Sequence, residues 1–327
     1  MKKLIYLSFV LIVFISACKK DKIKEPDVYI CGTELNTTTG NYDAVMWKNG
    51  DKQLLEKTTG QHSSYARAIF VNGNDVYIAG EAQIDVTTTA VVWKNGVWSS
   101  PIDGSPGRAT CIFVNGTDVY AAGNSNGNAA IWKNGIQTIL STTISEVSDI
   151  YVTGNDVYAC GYVASGFGYF VRAVWKNGTE LPYLVLANKD SRAHSIKVVG
   201  DDIFVSGEEQ VSSGGDYKSR IWKNGTEIYS NANYYSYDYI DVVGSDIYTA
   251  GEGGIAGATN TIIAKNNVAL YTTTAPPSIR IAGMQVKNSD VYYCGNESPN
   301  KVIYWKNEQK TILSTETTAF AYGLFVK

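Results

Sequence analysis

The chain has 327 residues, a net charge of −3, 18% charged residues and only two histidines. This balance offers no basic stripe for nucleic acid, and His62 and His194 alone exclude a multi-histidine metal centre. Length by itself suggests about two domains, a prior that the internal order of the sequence overrides.

Residues 1 to 17 read as an export signal: Lys2-Lys3, an apolar run from Leu4 to Ile15, then small residues before Cys18. The run is too short to span a bilayer once the cleavage site is counted. Ile15-Ser16-Ala17-Cys18 resembles the bacterial lipoprotein signal. That resemblance implies cleavage before Cys18, lipid on its sulfur and new amino end, and a protein anchored to a bacterial membrane outside the cytoplasm, at the outer membrane or cell surface. Residues 18 to 26 form the lipidated cysteine and a polar tether, and residues 27 to 327 form one domain.

From Asp27 onward a single unit recurs. Its glycine falls at Gly32, Gly80, Gly123, Gly161, Gly207, Gly251 and Gly295, spaced 38 to 48 residues apart, and a period in this range marks a repeat architecture. Trp47, Trp93, Trp132, Trp175, Trp222 and Trp305, each followed by Lys-Asn, keep step with it; the sixth copy has Ala264 instead. An apolar run ending in Val precedes each unit and a short run follows it, so each repeat reads as four strands. Asn-Gly between apolar runs is a strong hairpin signal because both residues accept positive φ. Strands apolar on both faces suit sheets sandwiched between others.

These features predict an all-β, seven-bladed β-propeller with four antiparallel strands per blade. The first copy lacks an inner strand, and Phe320 to Val326 at the other end matches Tyr65 to Val71 with nothing after it. The C-terminal strand is therefore expected to pair with the N-terminal blade, closing the ring and leaving no free edge. All seven prolines are expected between strands.

The period resembles WD-repeat and kelch propellers, without their Gly-His…Trp-Asp pairing or double glycine. The Ala-apolar-apolar-Trp-Lys-Asn-Gly element looks closer to propeller repeats of uncharacterised bacterial secreted proteins. That resemblance speaks for fold and hardly for activity.

The recurring Asp (Asp27, Asp75, Asp118, Asp156, Asp202, Asp246, Asp290) is expected to hold the turn through nearby backbone amides, and the recurring Lys to be a solvated tip charge. Cys31, Cys111, Cys160 and Cys294 stand where other repeats have small residues and are expected as free thiols, since equivalent positions on stacked sheets lie too far apart to bridge.

Function is expected on the face with variable connections. There the inner strands bring Tyr65, Arg67, Arg108, Arg192, His194, Asp238, Arg280 and Tyr322 to the channel mouth, with four of the six arginines of the chain. Such a ring could draw in an acidic sugar or a peptide carboxylate; alternatively the arginines pair with Glu146, Asp238 and other acids to join the blades. Phe167 to Phe170 and Tyr234 to Tyr237 add aromatics that suit a glycan or protein partner.

No Cys-x-x-Cys occurs, and no cofactor or metal is called for. The expected function is binding of a glycan or protein by a monomeric, membrane-anchored scaffold. The alternative is a carbohydrate-active hydrolase or lyase using Glu146 and Asp238, with Glu208, Glu209 and Glu252 behind them.

Overall fold

The computed structural model describes residues 25–183, 189–211, 217–231, 236–253, 260–273, 279–298, 301–314 and 318–327. The signal, Cys18 and most of the tether, Tyr234 and Tyr235, and Pro276, Pro277 and Pro299 lie outside these residues.

Every regular element among the described residues is a β-strand. Five sheets have four antiparallel strands in sequential order, the architecture of a propeller blade. In each blade the innermost strand lines a central channel and the outermost faces solvent.

The expected count of seven such blades is overturned. Five four-stranded blades are present, and repeats 2 and 3 share one seven-stranded sheet. The reason lies in the strand Val97–Asn115, whose 19 residues are both the outer strand of repeat 2 and the inner strand of repeat 3. Where a loop was expected, the chain stays extended against Thr87–Lys94, with Val91 opposite Pro101 and Thr89 opposite Pro106 across two register shifts. Two prolines expected between strands are thus inside one, at irregularities that a residue without an N–H tolerates.

The ends of the domain do meet. Ala319–Val326 pairs antiparallel with Val28–Leu35, from Val28 opposite Val326 to Glu34 opposite Ala319. Apolar clusters join each repeat to the next: Trp93 of repeat 2 packs with residues of repeat 1, and Trp47 of repeat 1 with Tyr292, Cys294 and Val302 of repeat 7. The two halves of the long sheet also pack on each other, with Ala79 and Val92 against Ala109 and Trp132, so that sheet bends within its shared strand. The four cysteines are free and buried, as expected.

The hairpin tips explain the Asp, Lys and Asn of every repeat. At Asn95-Gly96 both residues have positive φ, 53° and 81°, the hairpin geometry that Asn-Gly favours. Asn95 Oδ1 accepts from Val76 N and its Nδ2 donates to Asp75 Oδ1, both at 2.8 Å, while Lys94 Nζ sits 2.9 Å from Asp75 Oδ2 and over the Tyr77 ring. Equivalent contacts recur around the molecule, as at Asp118, Lys133 and Asn134. The aspartate is therefore held by the side chains of the adjacent hairpin of the same repeat rather than by backbone amides, and the lysine is a clamp rather than a free charge.

Candidate functional site

The repeating glycine builds the channel. A Cβ at Gly32, Gly80, Gly123, Gly161, Gly207, Gly251 or Gly295 would collide with the carbonyl oxygen of Phe320, Tyr65, Arg108, Glu146, Arg192, Ser236 or Arg280 on the neighbouring inner strand. That close approach belongs to a β-bulge, where two residues of one strand oppose one of its partner. Register shifts fall between Ala66 and Ala68, Ala109 and Cys111, Val147 and Asp149, Ala193 and Ser195, and Ile281 and Gly283. The skipped residues are Arg67, Thr110, Ser148, His194 and Ala282, all of which line the channel. Asp238 and Tyr322 take the same place in their strands and line it too.

The result is a cavity of about 1000 Å³. Of the eight residues expected at its mouth, Arg67, Arg108, His194, Asp238, Arg280 and Tyr322 line it. Tyr65 and Arg192 stand behind it: Tyr65 stacks on Arg67 at 5.2 Å, and Arg192 lies over the rings of Tyr162 and Phe170.

Three of the four mouth arginines have carboxylate partners. Arg67 pairs with Glu81 and is sandwiched between Tyr65 and Tyr322. Arg108 makes a bidentate pair with Glu146, Nε to Oε1 at 2.8 Å and Nη2 to Oε2 at 2.7 Å, joining repeat 3 to repeat 4. Such forked geometry is strong and directional. Tyr162 donates its hydroxyl to the same Glu146, and burial with that carboxylate pushes its pKa up to about 12. Arg192 stands 3.5 Å from Asp190. Arg280 is exposed and has no ion-pair partner among the described residues.

On the side of repeats 5 to 7 the acids behave differently. Burial raises the Asp238 carboxyl above the usual carboxylate range, against the lowering pull of His194. Burial and the neighbouring Asp238 raise Glu252 as well. Burial lowers His194, but Glu208 and Asp238 outweigh it and leave the imidazole raised. His194 Nε2 lies 3.8 Å from Glu208 Oε1, a charge contact too long for a hydrogen bond. Glu209 is engaged elsewhere, near Arg172 and Arg220.

Deeper in the channel is a layer that sequence reasoning missed: Phe70, Phe113, Tyr151, Lys197, Asp241, Gln285 and Phe325. Each comes three residues after the bulged position, so the alignment that found the mouth would have found this ring too. Four of them form an aromatic arc, with centroids 4.9 Å apart for Phe325 and Phe70, 4.7 Å for Phe70 and Phe113, and 5.1 Å for Phe113 and Tyr151. Lys197 closes on Tyr151 and pairs with Asp241 at 2.8 Å. Asp241 Oδ2 accepts from Val286 N, and Gln285 bonds both backbone groups of Val326.

The aromatic expectations divide. Phe167 and Tyr169 are exposed, but Tyr237 is buried with its hydroxyl on Asn267 Oδ1 at 2.6 Å. No group of three or more metal-ligating side chains occurs among the described residues.

Fold and channel together define a β-propeller with a polar central cavity. The chain matches no family model and no curated protein. Among solved structures it is similar to a Bacteroides uniformis protein assigned as a 6-phosphogluconolactonase (TM-score 0.53, 13% identity, covering 93% of this chain and 99% of that one). It is also similar to the acylaminoacyl peptidase of Pyrococcus horikoshii (0.54, 14%, 89% and 52%). A third match is the β-propeller domain of the Trilobed protease from Pyrococcus furiosus (0.51, 12%, 89% and 94%). At these identities the likeness establishes the propeller fold and nothing about chemistry.

Proposed function

We propose that the protein is a binding protein, anchored outside the cytoplasm by lipid on Cys18, whose channel mouth takes an acidic glycan. The observation that carries this reading is Arg280. It is exposed in the cavity wall and makes no direct ion pair among the described residues, its charge reaching Asp238 and Glu252 only at longer range, whereas Arg67, Arg108 and Arg192 each have a close carboxylate. A guanidinium left open in a cavity is a fork for a carboxylate. Tyr322, which lines the same cavity and feels the Arg280 charge, offers a ring and a hydroxyl suited to a sugar, and Asp238 and His194 offer acceptors and donors to sugar hydroxyls.

Isothermal titration with uronic-acid sugars and their neutral counterparts tests the reading. Acid binding is expected, with Arg280→Ala weakening it at least tenfold and Tyr65→Phe leaving it within twofold. Equal affinity for acid and neutral sugars, or an Arg280→Ala variant that binds the acid unchanged, contradicts the reading.

A second reading, a carbohydrate-cleaving enzyme, is favoured by one observation. Asp238 and Glu252 are both held above the normal carboxylate range beside each other, as a general acid must be. New reducing ends released from a bound oligosaccharide, and lost in Asp238→Asn, would select it over simple binding.

A further inference from the structure

Below its mouth the channel has two unlike walls. On the side of repeats 1 to 4 the deep wall is aromatic, with the half-buried rings of Phe325, Phe70, Phe113 and Tyr151 lining the cavity beneath a mixed mouth of Tyr322, Arg67, Arg108 and Glu146. The ring contacts of 4.7 to 5.1 Å make the lower four one continuous surface. On the side of repeats 5 to 7 the wall is charged and hydrogen-bonding, with His194 and Asp238 above Lys197 and Asp241. Lys197 has one close carboxylate partner, Asp241 at 2.8 Å, and an ammonium carries three donors.

The depth matters as much as the division. Arg280 at the mouth and Gln285 in the deep ring are five residues apart on one strand, which is about 16 to 17 Å at roughly 3.3 Å per residue. A single sugar bound at Arg280 leaves the aromatic arc bare. Aromatic side chains exposed in a channel interior are surface that water solvates poorly, and an apolar wall facing a hydrogen-bonding wall matches a molecule with flat C–H faces and hydroxylated edges.

We infer that the channel holds an oligosaccharide lengthwise, its terminal acid on Arg280 and its inner rings stacked on the Phe70–Phe113 arc. This inference rests on the glycan reading and extends it from the mouth to the full channel. A peptide ending in a carboxylate would also reach Arg280. It fits the deep ring less well, because its backbone amides would lie against four aromatic rings that offer them no partner.

Calorimetric titration with uronic-acid oligomers from monomer to pentamer tests it. Affinity is expected to rise with each unit until the arc is covered and then level off. Phe70→Ala with Phe113→Ala should remove that rise while leaving the monomer within twofold of wild type. Phe70→Leu with Phe113→Leu keeps the apolar volume and should lose most of the rise as well, which separates stacking from folding. Arg280→Ala should weaken every length about equally. Monomer and pentamer binding alike, with Arg280 still required, overturns this inference and leaves the mouth site standing. Carboxyl-terminal peptides binding where no oligomer does overturns both.

Discussion

At the scale of single residues, the same side chain types carry opposite loads at the two ends of the channel. Tip aspartates such as Asp75, Asp118, Asp156, Asp202 and Asp246 are held below the ordinary carboxylate value of 3.8, each by its partner Lys and Asn. A carboxyl whose folded pKa is depressed stabilises the fold above its unfolded value, and that contribution is lost as pH falls through the folded value. Asp238 and Glu252 are raised, so their ionised forms weigh against the folded state at neutral pH, and acidification relieves this. His194 is raised too, and its contribution is present below its ordinary 6.5 and lost as pH rises through the folded value. The signs agree on a stability maximum between 3.8 and 6.5. Thermal unfolding from pH 3 to 8 should show it there, with His194→Asn flattening the alkaline limb; a maximum at pH 7 or above would contradict these assignments.

At the scale of the element, the sixth repeat shows how the repeat tolerates a change at its packing residue. Where the other repeats have Trp, this one has Ala264, and where they have Ala66, Ala109, Val147, Ala193, Ile281 and Ala321, it has Tyr237. In the other repeats the Trp and the small residue belong to one apolar cluster, as Trp93 does with Ala66 and Trp222 with Ala193. In the sixth, Tyr237 joins Phe204, Ile221 and Ile240, a large ring supplied from the inner strand instead of the third. Tyr237→Ala alone should cost about 3–5 kcal/mol as a large-to-small change, and Ala264→Trp alone about 1–3 kcal/mol by overpacking. Combined, the two should be less destabilising than their sum, with a coupling of about 0.5–3 kcal/mol in chemical denaturation. Strict additivity would show that the two side chains do not share a space.

Both residues stand in the sequence, yet reading Tyr237 as an exposed recognition aromatic was wrong. The alignment that brings Asp238 to the channel also puts Tyr237 level with Ala66, on a packed face. Repeats 2 and 3 depart from the expected blades at their prolines. Pro101 and Pro106 read as breaks, and only the pairing with Val91 and Thr89 shows that the chain crosses them without leaving the sheet. The bulge glycines and the mouth residues were legible because they recur at fixed offsets. Pairing of the mouth arginines with Glu146 and other acids between blades was legible too, and Arg108 on Glu146, 38 residues away, bears it out; which acid each of the other arginines takes was not, since no offset predicts that choice.

At the scale of the whole molecule, one local device repeated around an axis makes the site. Each glycine admits a bulge, each bulge turns a side chain inward, and the tail strand on Val28–Leu35 brings Tyr322 and Phe325 into line with the rest. Differences between repeats then accumulate into two walls, aromatic and charged, with the open Arg280 at one end. A crystal structure of the protein soaked with a uronic-acid trisaccharide tests this account most directly. It predicts the sugar inside the channel, its carboxylate on the Arg280 guanidinium and a ring face against Phe70 or Phe113. A sugar seated on the outer strands or hairpin tips, with the channel filled only by water, would contradict it.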